Sequence, residues 1–270
     1  SGDRSLNNKS GGTFTNNDGT VLFNAAGDQR MEMAGTGNVH NLTLNKSDND
    51  FVTFGNLTVE GDLSITLATV HTMRPNNASE TLTVTGNATI VEGKLGDVTN
   101  YTGAHSFGSL TIESGGTYIA TSGTTTITTN TGAGSSSNRA LYCHNAGVFT
   151  HNKGLLKTTA SSADLEFTSQ SETNNPLYDF EATQYAVAAA NEWTVLNNMT
   201  IANGFQFNGS AGRAKVYGIM KQTGGTYNAS DISSSTDHFF NHYRLEGGTL
   251  DLSNIDITVG SIRNTGGTIT

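Results

Sequence analysis

A ten-residue pattern that returns after 25 residues constrains this chain most. Asn56-Leu57-Thr58-Val59-Glu60-Gly61-Asp62-Leu63-Ser64-Ile65 aligns with Thr81-Leu82-Thr83-Val84-Thr85-Gly86-Asn87-Ala88-Thr89-Ile90. Each copy is two apolar–polar–apolar runs joined by Gly-Asp or Gly-Asn. Period-two alternation belongs to a strand with one buried face, and Thr, Val and Ile suit a pleated surface. The spacing places Leu57, Val59, Leu63, Ile65, Leu82, Val84 and Ile90 inward. Looser copies at Leu42-Thr43-Leu44, Leu110-Thr111-Ile112, Asn198-Met199-Thr200-Ile201 (followed by Phe205-Gln206-Phe207) and Leu250-Asp251-Leu252 add Leu110, Ile112, Met199 and Ile201 to the same set. Two inward side chains per strand cannot close a core alone. Stacked on their equivalents one turn away they form a continuous apolar column, which is the logic of a solenoid. The glycines at the corners are expected to supply positive φ.

Composition removes the alternatives. Thr 41, Gly 32, Asn 29 and Ser 24 fill nearly half of the 270 residues, whereas Pro numbers 2 and charged residues 14 %. Collagen needs proline and a strict glycine period, and a coiled coil needs Leu, Glu and Lys heptads. Recurrent Val, Ile, Leu and Phe argue against disorder. No apolar run approaches the ~20 residues of a membrane span. A net charge of −9, with 14 Lys and Arg in no run, argues against nucleic acid as a partner. Cys143 is the single cysteine, so no disulfide forms within the chain.

A longer repeat overlies the short one. Asp3-Arg4-Ser5-Leu6 through Asn16-Asn17-Asp18-Gly19 matches Asn138-Arg139-Ala140-Leu141 through His151-Asn152-Lys153-Gly154 at an offset of 135, and Asn264–Thr270 resembles His144–Thr150. The reading is two tandem solenoid units, 1–134 and 135–270, in one continuous rod, with a third copy starting near 264. Without a polar cap at either end, the chain is expected to be part of a longer protein or covered by neighbours. At 20–25 residues per turn and about 4.8 Å per turn, the rod is on the order of 50–65 Å long. Gly132–Ser137 is read as a flexible join and Ser233–Ser235 as a loop. Tyr185–Glu192, rich in alanine, is the one helix-compatible stretch and the expected site of an insertion.

The Gly-Thr-Phe-Thr-Asn-Asn-Asp-Gly run at 12–19, its copy at 147–154 and the Asn-Leu-Thr-Val-x-Gly-Asp-Leu strand pairs resemble the parallel β-helix repeats of phage tail fibres, tailspikes and bacterial surface adhesins. The resemblance implies an all-β, single-stranded, right-handed parallel β-helix in an extracellular or virion fibre. It implies self-association, as a trimer in the phage case, and a cell-surface glycan as ligand. It carries over no catalytic residue.

Candidate sites are few. Asp179 and Glu181 flank Phe180, about 7 Å apart on one strand face, within the range of an inverting glycosidase pair; a solvated strand face is the plainer reading. Asp251 and Asp256 are weaker carboxylate candidates. The Ser47-Asp48-Asn49-Asp50 turn offers Asp48 and Asp50 to Ca²⁺ but lacks the spaced acids of a recognisable loop; otherwise no cofactor is expected. His238 and His242 stand at i, i+4, the zinc spacing of a helix, but no helix is expected there, and a wet aromatic loop for sugar stacking is the better reading. Trp193, Tyr185, Tyr178 and Phe180 cluster where carbohydrate contact is chemically reasonable, against the alternative that they plug the core. Outward hydroxyls of Thr81, Thr83 and Thr85 and of the run Thr124-Thr125-Thr126-Ile127-Thr128-Thr129 suggest ice binding, but Glu60, Lys94, Gln206 and Asp251 break the array. Ten Asn-x-Ser/Thr sequons, including Asn41, Asn56, Asn87, Asn198 and Asn208, little exceed the number chance gives. The expected function is a stiff, adhesive fibre segment, with a glycan-binding protein or glycan depolymerase as the alternative.

Overall fold

The computed structural model describes residues 5–34, 37–97, 101–130, 139–190, 192–207, 213–228, 238–253 and 256–270. Among them every regular element is a strand and every strand pairing is parallel. The chain is a parallel β-solenoid of about ten turns. One turn runs through Phe51–Phe54 on a first side, Leu57–Val59 on a second and Leu63–Leu67 on a third, then returns to the first side at Thr72–Pro75. The 14-residue strand Leu82–Leu95 bends through all three sides, pairing with each in succession.

Three columns of inward side chains follow from that register. The second side stacks Leu57, Leu82, His105, Thr125, Leu156, Phe180, Met199, Met220 and Tyr243. The third stacks Leu42, Leu63, Ala88, Leu110, Leu141, Leu165 and Ala188. The first stacks Phe51, Met73, Leu95, Tyr118 and Phe149. All eleven aliphatic residues assigned inward from the repeats lie in this core, none more than 6 % exposed. The 25-residue repeat is the stacking register itself, since Leu57 pairs with Leu82 and Ile65 with Ile90.

The long repeat does not coincide with the stacking register. Leu6–Asn8 lies on the first side and its match Leu141–Cys143 on the third; Thr20–Phe23 lies on the third and its match Leu155–Thr158 on the second. Thr268–Ile269 lies on the third side, whereas Val148–Thr150 lies on the first. The offset of 135 is therefore not a whole number of turns. Strands on both sides of the expected 134/135 boundary pair directly, Leu110 with Leu141 and Thr125 with Leu156. Gly132–Ser137 and Ser233–Ser235 lie outside the described residues.

Two local expectations are corrected. Ala186–Ala190 is a strand, not a helical turn, and it pairs with Ala163–Phe167 below and Phe205–Phe207 above. Helix propensity gives way to packing: Phe180 and Trp193 fill this turn from the other two sides, so the third presents Ala186 and Ala188, both 0 % exposed. Nor does an insertion lie here. The register advances only 19 residues from Phe180 to Met199, and the longest advance, 31 residues, runs from Leu110 to Leu141.

Corner glycines also differ from expectation. Gly61 and Gly86 do not adopt positive φ, although Gly225 (φ 63°) and Gly248 (φ 81°) do. A Cβ on Gly86 would overlap the Asp62 carboxylate and stand 2.7 Å from the Gly61 carbonyl oxygen. Here glycine is required by the close approach of successive turns.

Candidate functional site

The Asx residue after each such glycine builds an outer ladder. Asn41 Oδ1 accepts the backbone N–H of Asp62 at 2.8 Å, and Asp62 Oδ1 accepts that of Asn87 at 2.8 Å. Asn87 Oδ1 then accepts the Ser109 hydroxyl at 2.9 Å. Asn56 Oδ1 likewise takes the N–H of Thr81 at 2.9 Å. Another ladder runs from Asp179 Oδ1 to the N–H of Asn198 at 2.9 Å, and from Asn198 Oδ1 to the N–H of Ile219 at 3.0 Å. Bends leave backbone donors without strand partners, and the Asx oxygens satisfy them. A preceding glycine signals Asn56, Asp62 and Asn87, whereas Asn41, Asp179 and Asn198 follow His40, Tyr178 and Asn197 and carry no such signal. Four of the sequon asparagines are thus corner staples.

The candidate carboxylates occupy the outer faces. Asp179 and Glu181 alternate with inward Phe180, as the pattern required. Glu181 meets Lys157 Nζ at 2.8 Å across the second-side ladder, and Asp179 also accepts Asn197 Nδ2 at 2.9 Å. Asp48 takes the N–H of Gly27 at 3.0 Å, while Asp50 takes that of Thr72 at 2.9 Å and stands 3.7 Å from Arg74. These oxygens cross-link turns; among the described residues no group of three or more His, Cys, Asp and Glu side chains gathers as a metal site would. Asp251 accepts the N–H and hydroxyl of Ser253, which hold its carboxyl below the usual range, and the Asp256 carbonyl pairs with the N–H of His238.

Trp193 is 0 % exposed and sits within the core. Its ring stands 5.7 Å from Phe167, 5.2 Å from Phe180 and 5.9 Å from Phe205, edge-on or tilted. A sugar cannot stack on it while the rod is folded, so the carbohydrate role is corrected for this residue. Tyr178 is half-buried at a corner with its ring stacked 5.5 Å from His151, and Tyr185 donates to Gln206 at another corner. The aromatic cluster expected from sequence is thereby divided between core and surface.

His238 and His242 do not share a face. The strand His238–Leu245 carries an irregularity opposite Val216 and Ile219, where it rounds a corner; His238 points inward at 0 % exposure and His242 outward. The segment is a strand rather than a wet loop. Inside, His238 Nδ1 lies 2.9 Å from the Tyr227 hydroxyl, and His105 Nδ1 lies 2.9 Å from the Tyr118 hydroxyl. Tyr118 continues to Thr125 Oγ1 at 2.8 Å, and Tyr243 donates to Gln222 Oε1 at 2.5 Å. Burial lowers both imidazoles to about 4 and pushes the Cys143 thiol up to about 12, leaving that cysteine an inert core residue.

On the outside of the first side, Glu192 meets Arg213 at 2.7 Å and Lys215 at 3.2 Å, and Lys215 reaches Glu172 at 3.3 Å. Tyr217 also donates to Glu172, which pushes the phenol up to about 12 together with desolvation, the larger cause. No protein family, curated protein or solved structure matches the chain. The class rests on the fold alone: a parallel β-solenoid whose polar side chains chiefly fasten one turn to the next.

Proposed function

We propose that this chain is a structural and adhesive segment of a longer extracellular fibre, on a virion or a cell surface, where it acts as a stiff shaft or display surface. The observation that carries this reading is parallel stacking through about ten turns, with the second- and third-side ladders continuous and the first interrupted between Val148–Thr150 and Leu177. Each turn is held to the next by backbone hydrogen bonds, apolar columns and Asx staples, so bending requires many of them to open together. About ten turns at about 4.8 Å give a rod about 50 Å long. Self-association, with a trimer as the specific form, belongs to the same proposal.

The depolymerase alternative would employ Asp179 and Glu181. Both carboxylates hold neighbouring turns, which supports the shaft reading. Small-angle scattering and limited proteolysis test the proposal. An elongated particle of that length that resists protease supports it; a compact, readily cut particle overturns it. Shortening of a bacterial surface glycan, abolished by Glu181→Gln, would replace it with the enzymatic reading.

A further inference from the structure

Like charges stand in register at one end of the second side. Lys221 pairs with Arg244, and Arg244 with Arg263, on adjacent parallel strands. Buried Met220 and Tyr243, and Ile262 in the same register but 42 % exposed on the last turn, alternate with them, so all three cations share the outer face, about 4.8 Å apart from strand to strand. Cross-strand like charges destabilise a sheet, and elsewhere on the rod signs alternate, as with Lys157 opposite Glu181 and Glu192 opposite Arg213. Among the described residues Glu246 alone answers the row, 3.0 Å from Lys221 and 2.6 Å from Arg244. Arg263 is exposed and has no carboxylate within 4.0 Å among the described residues. Beside the cations runs a second outward row: Ile219, 41 % exposed, then His242, then Ser261, with the imidazole 2.8 Å from the serine hydroxyl.

We propose that this double row binds a linear acidic polysaccharide. Guanidinium groups grip carboxylate or sulfate in bidentate fashion, Ile219 offers an apolar contact to sugar C–H groups, and His242 and Ser261 meet hydroxyls. The row is one residue wide and follows the rod axis, which suits a thread of repeating charge. A duplex or a bilayer would press against the rest of a surface whose net charge is −9. The inference names a ligand for the display surface, and in that respect it rests on the proposed function.

The test compares the intact chain with Arg244→Gln/Arg263→Gln. Polygalacturonate and dextran sulfate are the probes, neutral dextran and a charge-matched duplex DNA the comparators, each titrated at low and high salt. At least one acidic glycan is expected to bind the parent chain, tenfold or more weakly in the variant and with a shallower salt dependence. The variant's urea midpoint is expected to change little, because the exposed Arg244–Glu246 pair that it loses and the repulsion that it relieves are both small. Failure of both acidic glycans to bind, undiminished binding by the variant, or tighter binding to DNA would each overturn the proposal. Scattering on the same samples separates the two readings: an elongated particle that binds no acidic glycan defeats this inference and leaves the shaft intact.

Discussion

Acidification is the most revealing perturbation of this rod. His105 and His238 are buried at 2 % and 0 % exposure, each facing a tyrosine hydroxyl, and burial lowers each from 6.5 to about 4. The folded state holds both imidazoles neutral, whereas the unfolded chain protonates them near pH 6.5. Between pH 6.5 and about 4 the unfolded state binds more protons, so stability falls as pH falls. A shift from 6.5 to about 4 is worth about 3 kcal/mol for each histidine at ~1.4 kcal/mol per pH unit. With two such groups the steepest loss approaches about 3 kcal/mol per unit, a large fraction of ordinary domain stability. Carboxylates lowered by hydrogen bonds, such as Glu172 and Glu246, act in the same direction but at lower pH, as they take up protons. Urea unfolding followed by circular dichroism at pH 7, 5.5 and 4 measures the loss. His105→Gln/His238→Gln keeps a polar group in each place but removes the titration, so its curve should flatten across that window. The same steep dependence in the double variant would refute the reasoning.

Leu57→Asp places a carboxylate in a column where the leucine is 3 % exposed, and should cost about 4 kcal/mol or more in chemical denaturation. Thr58→Ala, on the outer face of the same strand, should change stability by less than ~0.5 kcal/mol; equal losses would mean the facing is wrong. Gly86→Ala forces a Cβ against Asp62 and to 2.7 Å from the Gly61 carbonyl oxygen, with an expected cost of about 1–3 kcal/mol in the urea midpoint. Trp193→Ala should lose about 3–5 kcal/mol as a core truncation, and retained stability with only altered glycan binding would place the indole outside.

Alternation of side chains is a local property, and the sequence determined everything that follows from it. The strand runs, the inward leucines, valines and isoleucines, and the 25-residue step from Leu57 to Leu82 were all readable, because that step is also the stacking register. What depended on how turns lie upon one another was not. All three sides use the same strand-and-corner vocabulary, so the long repeat could match Leu6–Asn8 to Leu141–Cys143 across different sides. One irregular corner inverted the phase between His238 and His242. Ala186–Ala190 took its conformation from the bulk of Phe180 and Trp193 on the opposing sides, and Gly86 owes its identity to an oxygen one turn below. Period and polarity fix which way a side chain points; only the accumulated length of successive turns decides what it meets there.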